Sequence, residues 1–432
     1  MSRTIIDSVD IQGRGVAKID GKVTFVEDAI TGEFVECDIS KKKLSFNNAK
    51  VSTLLKSSPH RVVPQCEYFG RCGGCSMQHM DIGTQVSAKQ RVLEDNFARI
   101  GKTKPGIIFA PIHGKQWAYR RRARLSARFV QKKNDVLVGF REKKSSFVTD
   151  MSSCNVLPKK MSLLIDPLRQ LIFNLSIRNK IPQIEFADSE SSTGLIFRVM
   201  DELSVDDKLK LKEFANIYKI QIFLQPAGIE SIFLYYPKKN NPSLSYFLPE
   251  FNLNIKFLPT HFTQVNFEIN RVLVRRAISL LQPKPGEIIG DYFCGLGNFS
   301  LPVAARGAFV KGYESNSSLI DQASLNAREN GLSSNTSFAV TDLFSDDPKI
   351  AQEINMLDKC LIDPPRDGAS QLVAKIRPTG PKVIVYISCN SATLARDAGV
   401  LVNVKGYKCK GVGIVNMFPN TSHFEAIAMF VR

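Results

Sequence analysis

Two residues near the end of the chain have the types and positions needed for covalent catalysis. Cys389 follows an apolar run at 383–388 that predicts a buried strand, and the polar residues after it predict a helix start. A thiol at such a junction faces the ligand crevice of an α/β sheet, and we expect the helix N-terminus to lower its pKa. Cys389 is therefore a candidate nucleophile, with a buried structural thiol as the alternative. Glu425 stands at the entry to another apolar strand, as either a surface acid or a positioned base.

Acidic residues also follow other predicted strands of this region. Asp291 precedes a Gly295-x-Gly297 turn, and Glu314 ends the next strand. An acid at this distance beyond a glycine turn suits hydrogen bonding to a ribose diol, so the spacing predicts a nucleoside cofactor. Asp342 follows the third strand, where it can reach an adenine edge. The alternative is an ordinary glycine turn with acids at the surface.

The elements that must position these residues alternate between helix and strand from about residue 260. This alternation predicts a doubly wound, mostly parallel sheet, which binds ligands outside the carboxyl ends of its strands. Asp363 follows the fourth strand in a rigid Asp-Pro-Pro-Arg turn, where it either points into the crevice or caps the turn. The last two strands are close enough in sequence to form an antiparallel hairpin. Helices are predicted at 264–281 and ending at 330–331, and strands at 287–293, 308–313, 336–340, 359–362, 382–388, 407–415 and 425–431.

Three cysteines lie within ten residues, at Cys66, Cys72 and Cys75, with two glycines between the last two. Four thiolates close either a zinc or an iron–sulfur site, and Cys154 is the best fourth because its segment is polar and turn-like. The spacing does not separate the two metals. The other cysteines in predicted strands or beside them are expected to be core or loop thiols: Cys37, Cys294, Cys360 and Cys409.

The positive charge is concentrated in one segment. Residues 101–150 carry 13 basic and 3 acidic side chains, which is +10 of the total net charge of +17. Arginines dominate its densest part, Arg120-Arg-Arg-Ala-Arg124, and planar guanidinium groups pair with phosphates and stack on bases. We predict that this segment binds the RNA backbone; the alternative is a solvated basic face.

The N-terminal residues 1–55 are predicted to form a small, OB-like β-barrel, a common platform for nucleic acids. Asp20-Gly21 between the apolar runs 16–19 and 22–26 is a strong hairpin signal. A helix is predicted at 85–100, and mainly strands at 105–250 with helices near 158–178 and 203–218. A turn-rich stretch at 240–245 precedes the next domain.

Composition limits the class of protein. The 432 residues are 44% hydrophobic and 23% charged, as in ordinary globular proteins of two to four domains. No apolar run reaches membrane-spanning length, and the start of the chain does not read as a signal peptide. Nine cysteines in such a chain favour a reducing compartment, so we expect a cytoplasmic protein.

Four motifs together resemble the RNA uracil-C5 methyltransferases. The first 55 residues, with Gly13-Arg-Gly15 and Asp20-Gly21, are similar to the TRAM barrel of these enzymes. The likeness covers nearly the whole chain and is weakest at 158–255. It is strongest to the branch that methylates bacterial 23S ribosomal RNA and carries both a TRAM barrel and an iron–sulfur cluster. The motifs are Asp291-Tyr-Phe-Cys-Gly-Leu-Gly-Asn-Phe-Ser300, Asp363-Pro-Pro-Arg366, Ser388-Cys-Asn-Ser-Ala-Thr-Leu-Ala-Arg-Asp397 and Phe418-Pro-Asn-Thr-Ser-His-Phe-Glu425.

The resemblance implies an α/β plus β architecture in three domains: a TRAM barrel at 1–58, a central domain with a [4Fe–4S] cluster at 59–258, and a Rossmann-like class I methyltransferase domain at 259–432. It implies Cys389 as nucleophile, Glu425 as base, and Cys66, Cys72, Cys75 and Cys154 as cluster ligands. The family pattern varies at Tyr292, where an aliphatic residue is usual, and at Asp342, where Asn is also common. The implied S-adenosylmethionine-binding residues are Gln264, Phe293, Asn298, Glu314, Asp342 and Asp363.

The implied activity is C5-methylation of one uridine of 23S ribosomal RNA, uridine 1939 by resemblance. Uracil C5 is too weak a nucleophile until a thiolate adds at C6, so the chemistry requires one thiol, one carboxylate and one methyl donor in a single crevice. Three alternatives stay open: methylation of another uridine in 23S or transfer RNA, a non-catalytic RNA-binding assembly factor, and an iron–sulfur redox protein. No membrane and no obligate protein partner are expected.

Overall fold

The computed structural model describes residues 1–239 and 243–432. Residues 240–242 of the predicted turn-rich stretch lie outside this description. A strand begins at Leu244, so the turn predicted over 244–245 was wrong. Among the described residues, no helix is long and apolar enough to cross a membrane.

The first 56 residues form a six-stranded sheet in the order β1-β5-β6-β4-β3-β2. The predicted hairpin is confirmed: β3 and β4 pair antiparallel around Asp20 and Gly21, which have φ of 50° and 74°. Small apolar residues such as Ala17, Val26 and Ala49 fill its core. The strands are β1 (Ser2–Ile5), β2 (Ser8–Val9), β3 (Gly15–Ile19), β4 (Lys22–Glu27), β5 (Phe34–Lys42) and β6 (Phe46–Lys56).

A helix and a short strand follow the cysteine-rich loop. Helix α1 (Ile82–Arg99) begins three residues before the predicted start, because the Asp81 side chain accepts a hydrogen bond from the Thr84 N–H and caps it. Strand β7 (Ile107–Ile108) was not predicted.

The central part of the chain builds a second six-stranded sheet in the order β13-β12-β11-β10-β8-β9, with helices on one side. A separate hairpin follows it, formed by β14 (Leu244–Leu248) and β15 (Leu253–Phe257). The two predicted helical regions are confirmed. The elements of the second sheet are β8 (Arg122–Val130), β9 (Asp135–Gly139), α2 (Lys159–Ser162), α3 (Ile165–Phe173), β10 (Gln183–Asp188), β11 (Thr193–Arg198), α4 (Val205–Tyr218), β12 (Gln221–Gln225) and β13 (Phe233–Tyr236).

The C-terminal part forms the predicted doubly wound sheet. Its elements are α5 (Phe267–Leu281), β16 (Ile288–Tyr292), α6 (Ser300–Ala304), β17 (Phe309–Glu314), α7 (Ser317–Glu329), β18 (Thr336–Val340), α8 (Pro348–Ile354), β19 (Lys359–Ile362), α9 (Ser370–Lys375), β20 (Val383–Ser388), α10 (Ser391–Asn403), β21 (Lys408–Val415) and β22 (Glu425–Val431). At the predicted cap after α7, Gly331 has the left-handed conformation and Asn330 does not.

The strand order of this sheet is β18-β17-β16-β19-β20-β22-β21-β7. Strands β16 to β20 are parallel, and β22 lies antiparallel between β20 and β21, which confirms the predicted hairpin. Strand β7 extends the far edge, and α1 packs on the same face as α10. Residues from before the predicted boundary at 259 therefore complete the layer that supports the site.

Candidate active site

The register of two neighbouring strands places Cys389 beside Glu425. Ser388, the last residue of β20, pairs with Ala426 of the antiparallel β22, so the next facing positions are Cys389 and Glu425. Facing residues of an antiparallel pair present their side chains on the same side of the sheet. Both residues line one cavity of about 460 Å³. The structure thus brings together the predicted nucleophile and base, which are distant in sequence.

The Glu425 carboxyl is buried and poorly solvated. Burial raises its pKa to about 8, the charge of Asp363 adds to the rise, and a hydrogen bond with Gln264 opposes it. Its Oε2 atom has no hydrogen-bond partner in the described part of the chain. A carboxylate with a raised pKa is a stronger base than an ordinary glutamate, which suits proton removal from carbon.

The predicted lowering of the Cys389 pKa was wrong. The side chain is exposed at the cavity, yet the protein around it removes enough water to raise the thiol pKa, and the carboxyl groups of Glu425 and Asp363 raise it further. Only Arg366 and a local backbone hydrogen bond oppose this rise. Burial is the largest cause of the raised thiol pKa, and the two carboxyl groups add to it.

The Asp-Pro-Pro-Arg loop is fixed to the first turn of α10. The Arg366 carbonyl accepts hydrogen bonds from Asn390 Nδ2 at 3.0 Å and from Thr393 Oγ1 at 3.2 Å. At the far end of the loop, the buried Asp397 accepts a hydrogen bond from the Ala369 N–H at 2.8 Å. Asp363 follows β19, and burial raises its pKa to about 7. The loop therefore holds this carboxyl group between the thiol and the neighbouring strand ends.

Acidic side chains lie on both sides of the glycine turn after β16. Burial raises the pKa of Asp291 to about 7, and its Oδ1 atom has no hydrogen-bond partner among the described residues. Gly295 has a φ of 55°, and a side chain there would meet only open space. Glu314 accepts hydrogen bonds from the N–H groups of Gly295 at 3.3 Å and Ser315 at 2.8 Å. The turn thus requires glycine for its backbone conformation and leaves room for a ligand above it.

The remaining residues predicted to bind the cofactor lie around this turn. Phe293, with a φ of 65°, has its ring 5.7 Å from the ring of Phe344, and Asp342 accepts a hydrogen bond from the Phe344 N–H at 3.0 Å. The side-chain oxygen of Asn298 already accepts hydrogen bonds from the Tyr246 hydroxyl and the Asn270 side-chain amide. Asn298 therefore braces the turn, and it has only part of its amide free for a ligand. Phe344, which lies beside the Phe293 ring, was not singled out from the sequence, because an exposed aromatic residue in a loop carries no local signal.

Cys66, Cys72, Cys75 and Cys154, the four-thiol group, line the same cavity as Cys389. Burial raises the pKa of Cys75 to about 11 and of Cys154 to about 12, and the other thiols of the group raise both further. Within residues 1–239 and 243–432, no three His, Cys, Asp or Glu side chains are arranged to hold a metal ion. The predicted thiols are thus gathered, but they are not closed around a single ion.

Two arginines of the basic segment are engaged within the protein itself. Arg121 forms an ion pair with the buried Asp188 at 2.8 Å, and its guanidinium lies over the ring of Phe267. Arg122 donates to the carbonyl groups of Pro259 and His261. These contacts join the second sheet to the start of the C-terminal part. Arg121 and Arg122 therefore use part of their hydrogen-bonding capacity inside the protein, and RNA binding by the basic segment stays a prediction.

Cationic side chains that are more accessible than Arg121 and Arg122 line a cleft between the first two sheets. Its volume is about 990 Å³. Among the described residues that line it, Lys41 and Arg141 form no ion pair, whereas Lys144 pairs with Glu27. The cationic residues of the lining are Arg14, Lys41, Arg124, Arg141, Lys143 and Lys144.

Comparison with known proteins agrees with this geometry. The model of the tRNA (Uracil-5-)-methyltransferase family matches residues 81–432. The chain belongs to this family. It is therefore an enzyme that methylates uracil at C5, and the family supports S-adenosylmethionine as the methyl donor.

Relatives of this family match the chain over its whole length. The 23S rRNA (uracil(1939)-C(5))-methyltransferase RlmD of Nitrosospira multiformis is 51% identical over 430 residues, covering 99% of this chain and 98% of the relative. The protein of that name from Azoarcus sp. is 49% identical over 433 residues, with both chains covered completely. The solved structure of Pyrococcus abyssi tRNA (uracil-54, C5)-methyltransferase with S-adenosyl-L-homocysteine is 24% identical, covers both chains completely and has a TM-score of 0.76. This last likeness shows the fold.

Proposed function

We propose that the protein methylates C5 of uridine 1939 in 23S ribosomal RNA. The RNA and the position are those in the names of relatives that are about half identical over the full length. The observation that carries the catalytic assignment is the pairing of Cys389 with Glu425 at one cavity. Ribosomal RNA as substrate also supports a cytoplasmic location.

The Cys389 thiol gives its proton to solvent through the open cavity, and the thiolate then adds to C6 of the uracil ring. The C5–C6 double bond breaks, its electron pair moves to C5 and O4, and the resulting enolate makes C5 nucleophilic. The raised pKa of Glu425 helps here, because a protonated carboxyl group does not repel the forming thiolate. S-adenosylmethionine would supply the electrophilic methyl group to C5, with the methyl–sulfur bond breaking and S-adenosylhomocysteine as the leaving group.

Glu425 releases its carboxyl proton to solvent and then removes the proton from the methylated C5. Once the Cys389 sulfur is bonded to carbon it no longer carries a charge, so ionisation of the nearby Glu425 is no longer opposed by a thiolate. The electron pair of the C5–H bond restores the double bond, and the thiolate leaves C6. The product is 5-methyluridine, and the proton remains on Glu425 until it passes to solvent.

The residues at the strand ends fit a nucleoside methyl donor. Glu314 lies where a ribose diol is expected, the rings of Phe293 and Phe344 offer apolar faces, and Asp342 follows β18. The unpartnered Oδ1 of Asp291 faces the same region, since Glu314 and Asp363 both affect its pKa. We assign cofactor binding to Gln264, Phe293, Asn298, Glu314, Asp342 and Asp363.

We also propose that the four-thiol group holds a [4Fe–4S] cluster. All four thiols face one cavity, and Gly74 donates its N–H to Cys72 Sγ at 3.4 Å, a contact that iron–sulfur ligands commonly receive. Thiolates around one zinc ion would be about 4 Å apart, given Zn–S bonds of about 2.3 Å, whereas a cubane needs a wider opening. The cluster would order the loop, and no reaction step requires its redox chemistry.

The proposed domains are a TRAM barrel at 1–58, a central RNA-binding domain at 59–258 and the methyltransferase domain at 259–432. The cationic cleft between the first two sheets supports RNA binding by both of the first two domains. A flipped uridine must leave its stack to reach Cys389, which the open cavity permits.

Methyl transfer to defined RNA substrates tests the proposed substrate. Labelled S-adenosylmethionine is incubated with the enzyme and either a 23S ribosomal RNA fragment, the same fragment with cytidine at position 1939, or a transfer RNA. We expect label only in the first RNA, mapped to that uridine. Label in the cytidine fragment or in transfer RNA alone would overturn the assignment and favour another uridine or a transfer-RNA enzyme.

A further inference from the structure

A buried lysine lies beneath the loop that leads to Glu425. Lys89, on α1, is only 2% exposed. Its ammonium donates to Asn416 Oδ1 at 2.6 Å and to the Phe418 carbonyl at 3.1 Å. Both acceptors are neutral, and burial is the only influence that lowers the pKa of Lys89, to about 7. A buried cation with no carboxylate partner is costly, and such exceptions to ordinary core composition occur mainly at functional sites.

The loop that Lys89 contacts connects β21 to β22 and carries much of the cavity wall. Phe418, Thr421, His423 and Phe424 line the cavity, and Glu425 follows directly as the first residue of β22. The loop contains a strained position, since Asn420 has a φ of 66°. A backbone of this kind persists only where its surroundings fix it.

The contacts that fix this loop come from one face of α1. Gln85, one turn before Lys89, accepts a hydrogen bond from the Asn420 N–H at 2.9 Å and donates to the Asn420 side chain. Lys89 holds the start of the loop and Gln85 its middle. The Phe418 carbonyl also accepts a hydrogen bond from the Thr421 hydroxyl at 3.0 Å. The ammonium therefore binds the carbonyl at which this turn closes, and the turn directs the rest of the loop toward the cavity.

We propose that Lys89 is a positioning residue for the proton-removal step: it holds the loop that places the Glu425 carboxylate against uracil C5. This inference rests on the proposed function. Lys89 does not touch the reacting atoms, and its ammonium bonds to the loop before β22 rather than to the β20–α10 junction that carries Cys389. Loss of the ammonium should therefore impair only the step that needs Glu425.

The test is a step-resolved comparison of Lys89→Met with wild type. The substitution keeps most of the length of the side chain and removes its donors. A displacement of about 1 Å in a reacting group can cost up to about 100-fold in rate, so we expect kcat to fall about 10- to 100-fold. KM for RNA and for S-adenosylmethionine should stay near wild type. The methylated covalent protein–RNA adduct should accumulate, because thiol attack and methyl transfer continue while elimination is slow.

Lys359→Met is the matched control. Lys359 is also buried, and its ammonium also donates to a main-chain carbonyl, that of Gln282. Unlike Lys89 it also pairs with Glu287, and it lies at the opposite end of β19 from Asp363. It should lower thermal stability without accumulating adduct. Glu425→Gln tests the proposed function separately, since it must accumulate the adduct for the mechanism to hold.

The possible results are distinct. Normal kcat in Lys89→Met, or a loss of kcat without adduct, would overturn the positioning role while leaving the proposed function standing if Glu425→Gln traps the adduct. Absence of adduct in Glu425→Gln would overturn the proposed mechanism itself. If Lys89→Met does not fold, Lys89→Leu, which also lacks donors, is judged by the same adduct and kcat criteria.

Discussion

The four-thiol group and Cys389 face one cavity, but they reach it from different kinds of structure. Three members of the group lie on one glycine-containing loop, and their thiols are close enough to raise one another's pKa. Cys389 stands at a strand end among carboxyl groups. Mutually close thiols gain from a shared inorganic centre, whereas an isolated thiol can be freed for attack on a substrate. We therefore infer the role of each sulfur from the groups around it, because the cavity is the same for all of them.

Removing the Cys389 thiol should have the largest effect. Cys389→Ala should lower methyl transfer by roughly 10⁴-fold or more, because no other described side chain replaces a nucleophile in this chemistry. Binding of both substrates should persist. Cys360→Ala, which removes a buried thiol from β19, is the control and should keep its activity. Turnover by Cys389→Ala near the wild-type rate would refute nucleophilic catalysis by this residue.

Cys154→Ala should separate the two kinds of cysteine site. Anaerobically purified wild type and Cys389→Ala should both contain about four irons per chain, as a [4Fe–4S] centre requires, whereas Cys154→Ala should lose most of its iron. Iron analysis and absorbance measure this directly. One zinc per chain in wild type would contradict the cluster, and full iron occupancy in Cys154→Ala would exclude it as the fourth ligand.

A smaller effect is expected from substituting a residue proposed to bind the cofactor. Glu314→Ala removes a charged acceptor, and a hydrogen bond of this kind contributes roughly 1.5–3 kcal/mol. S-adenosylmethionine should therefore bind at least about tenfold more weakly in calorimetry, with RNA affinity nearly unchanged. Asp321→Ala, at an exposed acid on α7, should bind the cofactor as wild type does. Equal affinity in Glu314→Ala would remove this residue from the site.

The smallest expected change concerns RNA affinity. Replacing Lys41 and Arg141 with alanine should weaken RNA binding and reduce the slope of log K against log salt by roughly one per lost phosphate contact. Lys208 and Lys212, on α4, provide the control pair. An unchanged slope would mean that the cleft does not follow the RNA backbone. Arg121 and Arg122 are unsuitable for this test, because their loss would also disturb the fold.

The sequence predicted the strands whose boundaries depend on local periodicity alone. The strands at 336–340, 359–362 and 425–431 agree with the structure to the residue, because short apolar runs bounded by turns have few alternatives. The addition of β7 to the sheet depends on contacts between segments about 300 residues apart, which no local pattern encodes. The ion pair of Arg121 was not predicted for the same reason, because its partner Asp188 lies at the end of a distant strand.

The site shows the same division. The positions of Cys389 and Glu425 at strand ends were predictable, but their electrostatics were not. The Cys389 pKa is raised first by burial and then by Glu425 and Asp363, and both influences depend on the tertiary packing around the thiol. Lys89 lies on a helix with polar residues on several sides, and its burial follows only from the packing of that helix on the loop before β22.

The central claim is that Cys389 and Glu425 act at different steps, and adduct trapping tests it most directly. Glu425→Gln and Cys389→Ala are each incubated with the 23S ribosomal RNA fragment and methyl-labelled S-adenosylmethionine, then denatured and separated by size. Glu425→Gln should yield a denaturation-resistant protein–RNA species that carries the label, because attack and methyl transfer occur but elimination lacks its base. Cys389→Ala should yield none. A folded Glu425→Gln enzyme that turns over normally, or that forms no labelled adduct, would contradict the account and move the base to another residue, with His423 the next candidate.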